Sequence, residues 1–386
     1  MDQLVVSALL SEQESNNAEC ILDKIMNLIR NSNQLTNVTA AACAPLLIIS
    51  ITVLDVPKQP TPIKIKPQMA LVFGSINVDE FFSVPHIVRP GETLASTGIQ
   101  RKAGGKGANV SVALGKAGAN VSLAGQIGDD GEWIRSLLDS FGVDTQSLIT
   151  NKTLPTGRAT IQISSEGENS IVLYGGTNKL PYQENLHLQR YSYLVVQEEI
   201  VHEQTVAAIE QAHANGVKTV YNPSPMPTSQ QIESFPWRSL SYLILNAGEA
   251  NDMISALSGN TQQRSPDNIL NAFMQHPSTS SLQGLIITLG EKGLVARINI
   301  GDENADFHLP STPVDAKDTT GAGDTFAGYF VASMLKLDKL TRSSAELALR
   351  NAMAVSLLLV RLPTLTLHRQ PRWQSPGQAL WRRYPY

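Results

Sequence analysis

Residues 318 to 326 read DTTGAGDTF, a nearly bare Gly-Ala-Gly turn with a carboxylate at each end. Asp and Gly favour turns and Asp caps helices, so the stretch alone also fits an ordinary helix start. Its chemistry is more specific if the helix is DTFAGYFVASML. The backbone N–H groups of Gly321, Ala322 and Gly323, with the helix dipole, then make a place for an anion. Asp324 falls in the first helical turn, where the dipole favours the ionised carboxylate, a poor acid and a usable base. A base beside donors that neutralise developing negative charge is what phosphoryl transfer to an alcohol requires.

A second stretch, AGGKGANVSVALG at residues 103 to 115, sets a glycine turn and a lysine before another helix. It is not a Walker A loop, because Gly107 rather than Ser or Thr follows Lys106. It is not a dinucleotide fingerprint either, since no acidic ribose contact follows on a strand. Gly104 and Gly105 let backbone approach a ligand, and Lys106 and Asn109 can then reach its hydroxyls. A third group closes successive apolar runs: Asn77 and Asp79, Gln197 to Glu199, Asn222, Asn246 and Glu249, and Thr288 with Gly290. Each alone fits a loop. Together, at one end of successive strands, they suit a polyol, whose vicinal hydroxyls take donors and acceptors in pairs.

The elements that must position these groups begin at Met69. Runs such as MALVF, NVSLAGQIG, YLVVQ, KTVYN, YLILN and GLIIT read as buried strands, alternating with helical stretches such as GANVSVALGKAGA, GEWIRSLLDSFGV and EQTVAAIEQAHANG. Alternating strands and helices predict an α/β fold, a mainly parallel sheet with helices on both faces and ligands at the carboxyl ends of the strands. GRATIQISSEGENSIVLYGG alternates about a glycine turn and predicts a hairpin. It could join a small separate sheet over one end.

The ends differ. Residues 1–66 carry Ala18, Ile21, Leu22, Ile25 and Ile29 at helical spacing, the uncharged tract VTAAACAPLLIISITVL and a Pro- and Lys-rich linker. The tract falls short of the ~20 apolar residues of a membrane span, follows a polar stretch unlike a secretory signal, and reads as a buried or disordered extension. Residues 359–386 are rich in Arg, Pro and Trp without a sustained period, and read as a divergent tail lacking fixed structure. A net charge of −4 over 386 residues gives no basic bias toward nucleic acid. Cys20 and Cys43 have neither disulfide-framework nor metal-ligand spacing, which fits a reducing, cytoplasmic setting with the nucleus open to it.

The chain resembles the ribokinase (PfkB) family of carbohydrate kinases over roughly residues 69 to 358, on DTTGAGDTFAGYF and GGKGANVSVALGKAGANVSLAGQIGDD as the two signatures. GSINVD with GGKGAN is similar to the family's ribose-specific branch. The resemblance implies a three-layer α/β/α sandwich over residues 67–358, with a β-sheet lid at about 91–103 and 157–178 that also serves as a homodimer contact. It implies ATP-dependent phosphorylation of D-ribose at the 5-hydroxyl. A deoxyribose or other small-sugar kinase, or a sugar binder impaired by the altered C-terminus, stay open. It implies that Asn77, Asp79, Gly105, Lys106, Gly107, Asn109 and Glu199 hold the sugar, that Asp324 is the base, and that Gly321, Ala322 and Gly323 form the anion hole. Asn246, Thr288, Gly290, Gly293, Gly323 and Asn351 would hold ATP, Glu249 would act on Mg2+ through water, and Asp318 and Thr320 would form part of a K+ site. RLPTLTLHRQPRW stands where the family has a short loop completing the K+ site and adenine pocket, so K+ activation is an open point of this sequence.

Overall fold

The structure, a computed structural model, describes residues 38–43, 46–51, 68–312 and 319–361. The helical spacing over residues 18–29, Asp318 and the tail from residue 362 lie outside the described residues. The chain divides into two units, Met1–Ile65 and Lys66–Tyr386. In the first, β1 (Val38–Cys43) and β2 (Leu46–Ile51) pair antiparallel, from Val38 opposite Ile51 to Cys43 opposite Leu46. These two strands lie within the apolar tract that the sequence reads as a buried or disordered extension; its β-branched residues suit strands.

The second unit is built on one large sheet. Its strands are β3 (Met69–Phe73), β6 (Asn120–Gly128), β7 (Val143–Asp144), β8 (Leu148–Asn151), β11 (Tyr193–Gln197), β12 (Lys218–Asn222), β13 (Tyr242–Asn246), β14 (Gly284–Thr288), β15 (Leu294–Ile300) and β16 (Glu303–Leu309). They lie in the order β16-β15-β14-β13-β12-β11-β3-β6-β7, with β8 also pairing parallel to β6. From β14 to β6 every pairing is parallel; β15 and β16 add an antiparallel margin.

Alternate residues of each strand feed opposite faces, which is why the strands read as continuous apolar runs. Ala70, Val72, Val195 and Ile244 point into one core with α1 (Lys106–Lys116), α2 (Glu132–Ser140), α7 (Ala322–Leu335) and α8 (Arg342–Arg361). Leu71, Phe73, Val196 and Leu245 point into the other, with α3 (His202–Ala214), α4 (Ser229–Glu233), α5 (Ala247–Ser258) and α6 (Pro266–Gln275). The result is the expected α/β/α sandwich. Residues 342–360 are long and apolar enough to cross a membrane by length and composition. Here Ala345, Ala348, Leu349, Ala352 and Val355 of that helix pack into the first core.

Four further strands form a separate small sheet in the order β10-β9-β4-β5: β4 (Asn77–Val84), β5 (Gly98–Gly104), β9 (Gly157–Ser164) and β10 (Asn169–Tyr174). The sequence reading treats Asn77 and Asp79 as loop residues ending β3. They instead open β4, whose polar residues alternate with the buried Val78 and Glu80. Two strands separated by only three residues read as one run with a polar end. Helix α6 also escaped the sequence reading, although Ser265 before Pro266 is a helix-start signal and its side chain does cap the helix.

Candidate active site

The two glycine turns lie at the starts of two packed helices, α1 and α7, and this packing joins residues more than two hundred positions apart. Gly105 precedes α1 with φ 88°, a left-handed conformation that L side chains resist. A Cβ there would also stand 2.7 Å from the Ser75 carbonyl oxygen and 2.8 Å from the Asn77 nitrogen. The turn therefore presses directly on the link between β3 and β4. Lys106 and Asn109 sit three apart on α1 and share a face. Both reach Asp324 on α7. Asn109 Nδ2 donates to Asp324 Oδ2 at 2.9 Å, and Lys106 Nζ lies 3.8 Å from Oδ1.

Gly321 caps α7 with φ 72°, and the first ladder bond runs from Thr325 N–H to its carbonyl at 2.9 Å. The Ala322 N–H donates to the Thr319 carbonyl at 3.2 Å, and Ser356 of α8 donates to the Ala322 carbonyl at 2.9 Å. The turn is thus held from both sides, and the Ala322 N–H is engaged within it. Gly323 is exposed there, while Asp324 is only 4% exposed.

That burial corrects one expectation. The helix terminus was expected to keep Asp324 ionised. Instead, desolvation pushes its carboxyl up from the ordinary range, Lys106 and Asn109 pull it partly back, and Glu199 adds repulsion. A raised pKa strengthens the ionised carboxylate as a proton acceptor.

Glu199, just past β11, closes the same cluster. Its Oε2 accepts the Lys106 backbone N–H at 3.0 Å and the Ser75 hydroxyl. Asp79, on β4, is pushed up to about 7 by burial first and by Glu199 second, with Lys102 opposing. Asn77 Oδ1 accepts from Asn178 Nδ2 at 2.7 Å. Asn77, Asp79, Gly105, Lys106, Gly107, Asn109, Glu199 and Asp324 therefore gather around the junction of the two sheets and the two helix starts.

Other strand-end residues turn away. Glu198 faces inward, accepting from Tyr221 Oη at 2.5 Å and pairing with His202. Asn222 donates to the Ile244 carbonyl at 2.9 Å and is occupied within the sheet. Gln197 is buried against Gly74. Strand alternation could not have sorted these, because Glu198 and Glu199 lie past the end of β11 and Gln197 has the same parity as Glu199.

A second cluster lies at the carboxyl ends of β13 and β14, where Asn246 and Thr288 are register partners. Asn246 Oδ1 accepts the Glu249 N–H and Glu249 Oε2 accepts the Asn246 N–H, both at 2.9 Å, which is a capping box on α5. The N-x-x-E spacing thus has a local structural purpose. Thr288 donates to the Leu245 carbonyl at 3.3 Å; Gly290 is exposed with φ 59° and Gly293 is buried. Asn351 is half-buried on α8, and Thr320 is exposed before α7.

Two contributors escaped the sequence reading. Ser75, inside GSIN, holds Glu199, and Asn178, inside GGTN, holds Asn77. Their small polar types carry no periodic signal.

Comparison with known proteins agrees with this fold. The sequence profile of the pfkB family carbohydrate kinases matches residues 67–366. A Staphylococcus aureus ribokinase is 31% identical over 274 residues, covering 69% of this chain and 86% of that protein. The ribokinase of Cryptococcus neoformans var. grubii serotype A, solved with ADP, aligns at TM-score 0.70 and 39% identity, over 78% of this chain and 96% of its own. Arabidopsis thaliana ribokinase, solved with ribose and ATP, aligns at TM-score 0.67 and 26% identity, over 79% of this chain and 96% of its own. This chain belongs to the pfkB family of carbohydrate kinases and is a sugar kinase.

Proposed function

We infer that this chain transfers the γ-phosphoryl group of ATP to the 5-hydroxyl of D-ribose, giving D-ribose 5-phosphate. The observation that carries the reading is the buried Asp324 carboxylate at the α7 N-terminus, held by Asn109 and Lys106 within reach of the cluster on the small sheet. Asn77, Asp79, Gly105, Lys106, Gly107, Asn109 and Glu199 hold the sugar. Asp324 accepts the proton of the attacking hydroxyl. Gly321, Ala322 and Gly323 present the opening turn of α7, whose donors meet the charge on the moving phosphoryl group. Lys106 lies beside Asp324 and balances charge there once the hydroxyl proton has left.

Asn246, Thr288, Gly290, Gly293, Gly323 and Asn351 hold the nucleotide. Glu249 spends Oε2 on its capping bond and stays partly exposed, which suits an outer contact to Mg2+ through water. Among the described residues no group of three or more His, Cys, Asp or Glu side chains could cage a metal, in keeping with an ion that arrives with ATP and neutralises its phosphates. Thr320, with Asp318, is assigned to a K+ site. Strand β10 exposes Val172 and Leu173, the latter 69% exposed, at the edge of the small sheet. A second copy of the chain covers them in a lid-to-lid dimer, which sedimentation would detect. Membership of a sugar-kinase family supports a cytoplasmic setting.

The test is ADP release coupled to a reporter, with D-ribose or 2-deoxyribose, with and without K+. Ribose-dependent turnover with product phosphorylated at the 5-hydroxyl is expected. Deoxyribose turned over as efficiently, or no turnover from folded protein, would overturn the reading.

A further inference from the structure

Asn178 lies in the single turn Gly176–Lys179, about a hundred residues from Asn77 in sequence, and is 5% exposed. The backbone of Ile76 reads both ends of its amide. The Ile76 N–H donates to Asn178 Oδ1 at 3.0 Å, and Asn178 Nδ2 donates to the Ile76 carbonyl at 3.0 Å. A backbone donor and a backbone acceptor cannot be exchanged, so this amide has one permitted orientation, which is not true of most Asn side chains. Its remaining N–H then points to Asn77 Oδ1, at 2.7 Å. Since Asn178 supplies a donor, the Asn77 atom facing it must be oxygen, and the Asn77 nitrogen faces the other way.

Space enforces the arrangement. A Cβ on Gly157 would stand 2.1 Å from Asn178 Nδ2 and 2.3 Å from Asn77 Oδ1, so the pair is clamped beneath the start of β9. The turn itself is anchored: Thr177 N–H donates to the Pro155 carbonyl and Thr177 Oγ1 donates to the Gln126 carbonyl, each at 3.0 Å. Asp79 follows Asn77 by two residues on β4 and shares its face.

We propose that Asn178 is a positioning residue that fixes the Asn77 side chain with its nitrogen toward the sugar, so that Asn77 donates to a sugar oxygen. Beside it Asp79, when ionised, can only accept. Asn77 and Asp79 therefore form an ordered donor–acceptor pair along β4. Such a pair recognises a polyol that offers an oxygen acceptor next to a hydroxyl donor. This rests on the reading of Asn77 as a sugar contact.

The experiment measures ribose affinity of the full chain by calorimetry, alongside steady-state kinetics. Asn77→Ala and Asn77→Asp are each expected to weaken ribose at least tenfold, because aspartate presents oxygen where nitrogen is needed. Asn178→Asp keeps the acceptor for Ile76 N–H and loses both donations. It is expected to weaken ribose at least tenfold, with kcat and the KM for ATP within twofold. In an Asn77→Ala background it should add less than a further twofold. Asn77→Asp binding ribose within twofold of wild type would overturn the assigned orientation. The same loss from Asn178→Asp with and without Asn77 would show a merely structural residue. An unaffected Asn77→Ala would instead refute the sugar contact itself. If Asn178→Asp does not fold, the Asn77→Asp result decides the orientation alone.

Discussion

The end of this site proposed to hold the sugar and the end proposed to hold the nucleotide are built differently. Around Asp324 the groups are buried or half-buried and bonded across long sequence distances: Asn109 to Asp324, the Lys106 backbone to Glu199, Asn178 to Asn77. Around Asn246 and Thr288 the groups are exposed or half-buried, Asn246 and Glu249 satisfied by a local capping box and Thr288 by the Leu245 carbonyl of the adjacent strand. A buried network holds each donor and acceptor in one place, and a mismatched substrate leaves some of them unpaired. An exposed, locally capped cluster imposes no such penalty. Discrimination among sugars therefore belongs to the first region, while the second need only hold phosphate and base.

Matched glycine substitutions make the contrast measurable. Gly105→Ala forces a Cβ to 2.7 Å from the Ser75 oxygen at positive φ. Strain and overpacking together should cost about 3 kcal/mol or more and abolish ribose binding, read by denaturant unfolding and calorimetry. Gly290→Ala has positive φ but nothing within 4 Å of the added carbon. It should cost only about 1 kcal/mol, the left-handed backbone penalty, and leave ribose affinity unchanged. Equal losses at the two positions would erase the distinction.

Acid provides the next-largest effect. Asp79 titrates near 7 because burial and Glu199 disfavour its charge. If ribose needs the ionised form, its affinity should fall about tenfold for each pH unit below that value, and Asp79→Asn should bind weakly without this dependence. The stability linkage has the opposite sense. A raised carboxyl pKa means the folded state holds a proton the unfolded state has lost. Its contribution is full below about 4 and is lost as pH rises through about 7. Ribose-free unfolding of wild type against Asp79→Asn across that window checks the sign.

The smallest expected effect lies at the nucleotide end. Asn246→Ala removes the cap of α5 and should cost about 1 kcal/mol of stability. It should raise the KM for ATP several-fold and leave ribose binding alone. A comparable loss of ribose affinity would join the two regions into one network.

The same contrast governs what the sequence could reveal. The glycine turns at Gly105 and Gly321, the order of strands and helices, and the N-x-x-E cap are local patterns. Each is visible within a few residues because backbone conformation or helix capping demands those types. Asn178 is different. Its role depends on the Ile76 backbone, about a hundred residues away. A lone Asn in GGTN looks like a turn residue. Asp324 was readable as a helix-start carboxylate, but its raised pKa comes from burial beneath packed helices, which no local pattern encodes. Asn77 and Asp79 were recognised as polar groups at a strand end and misplaced in a loop, since β4 starts so close behind β3.

The central claim is that Asp324 is the base in ribose phosphorylation. Its most direct test is ribose-dependent ADP release by wild type and Asp324→Asn, with ribose affinity measured on both. The account predicts turnover in wild type, a loss of kcat of about 10²–10⁴-fold in the variant, and ribose affinity retained within a few-fold. A variant that turns over ribose within tenfold of wild type would contradict it.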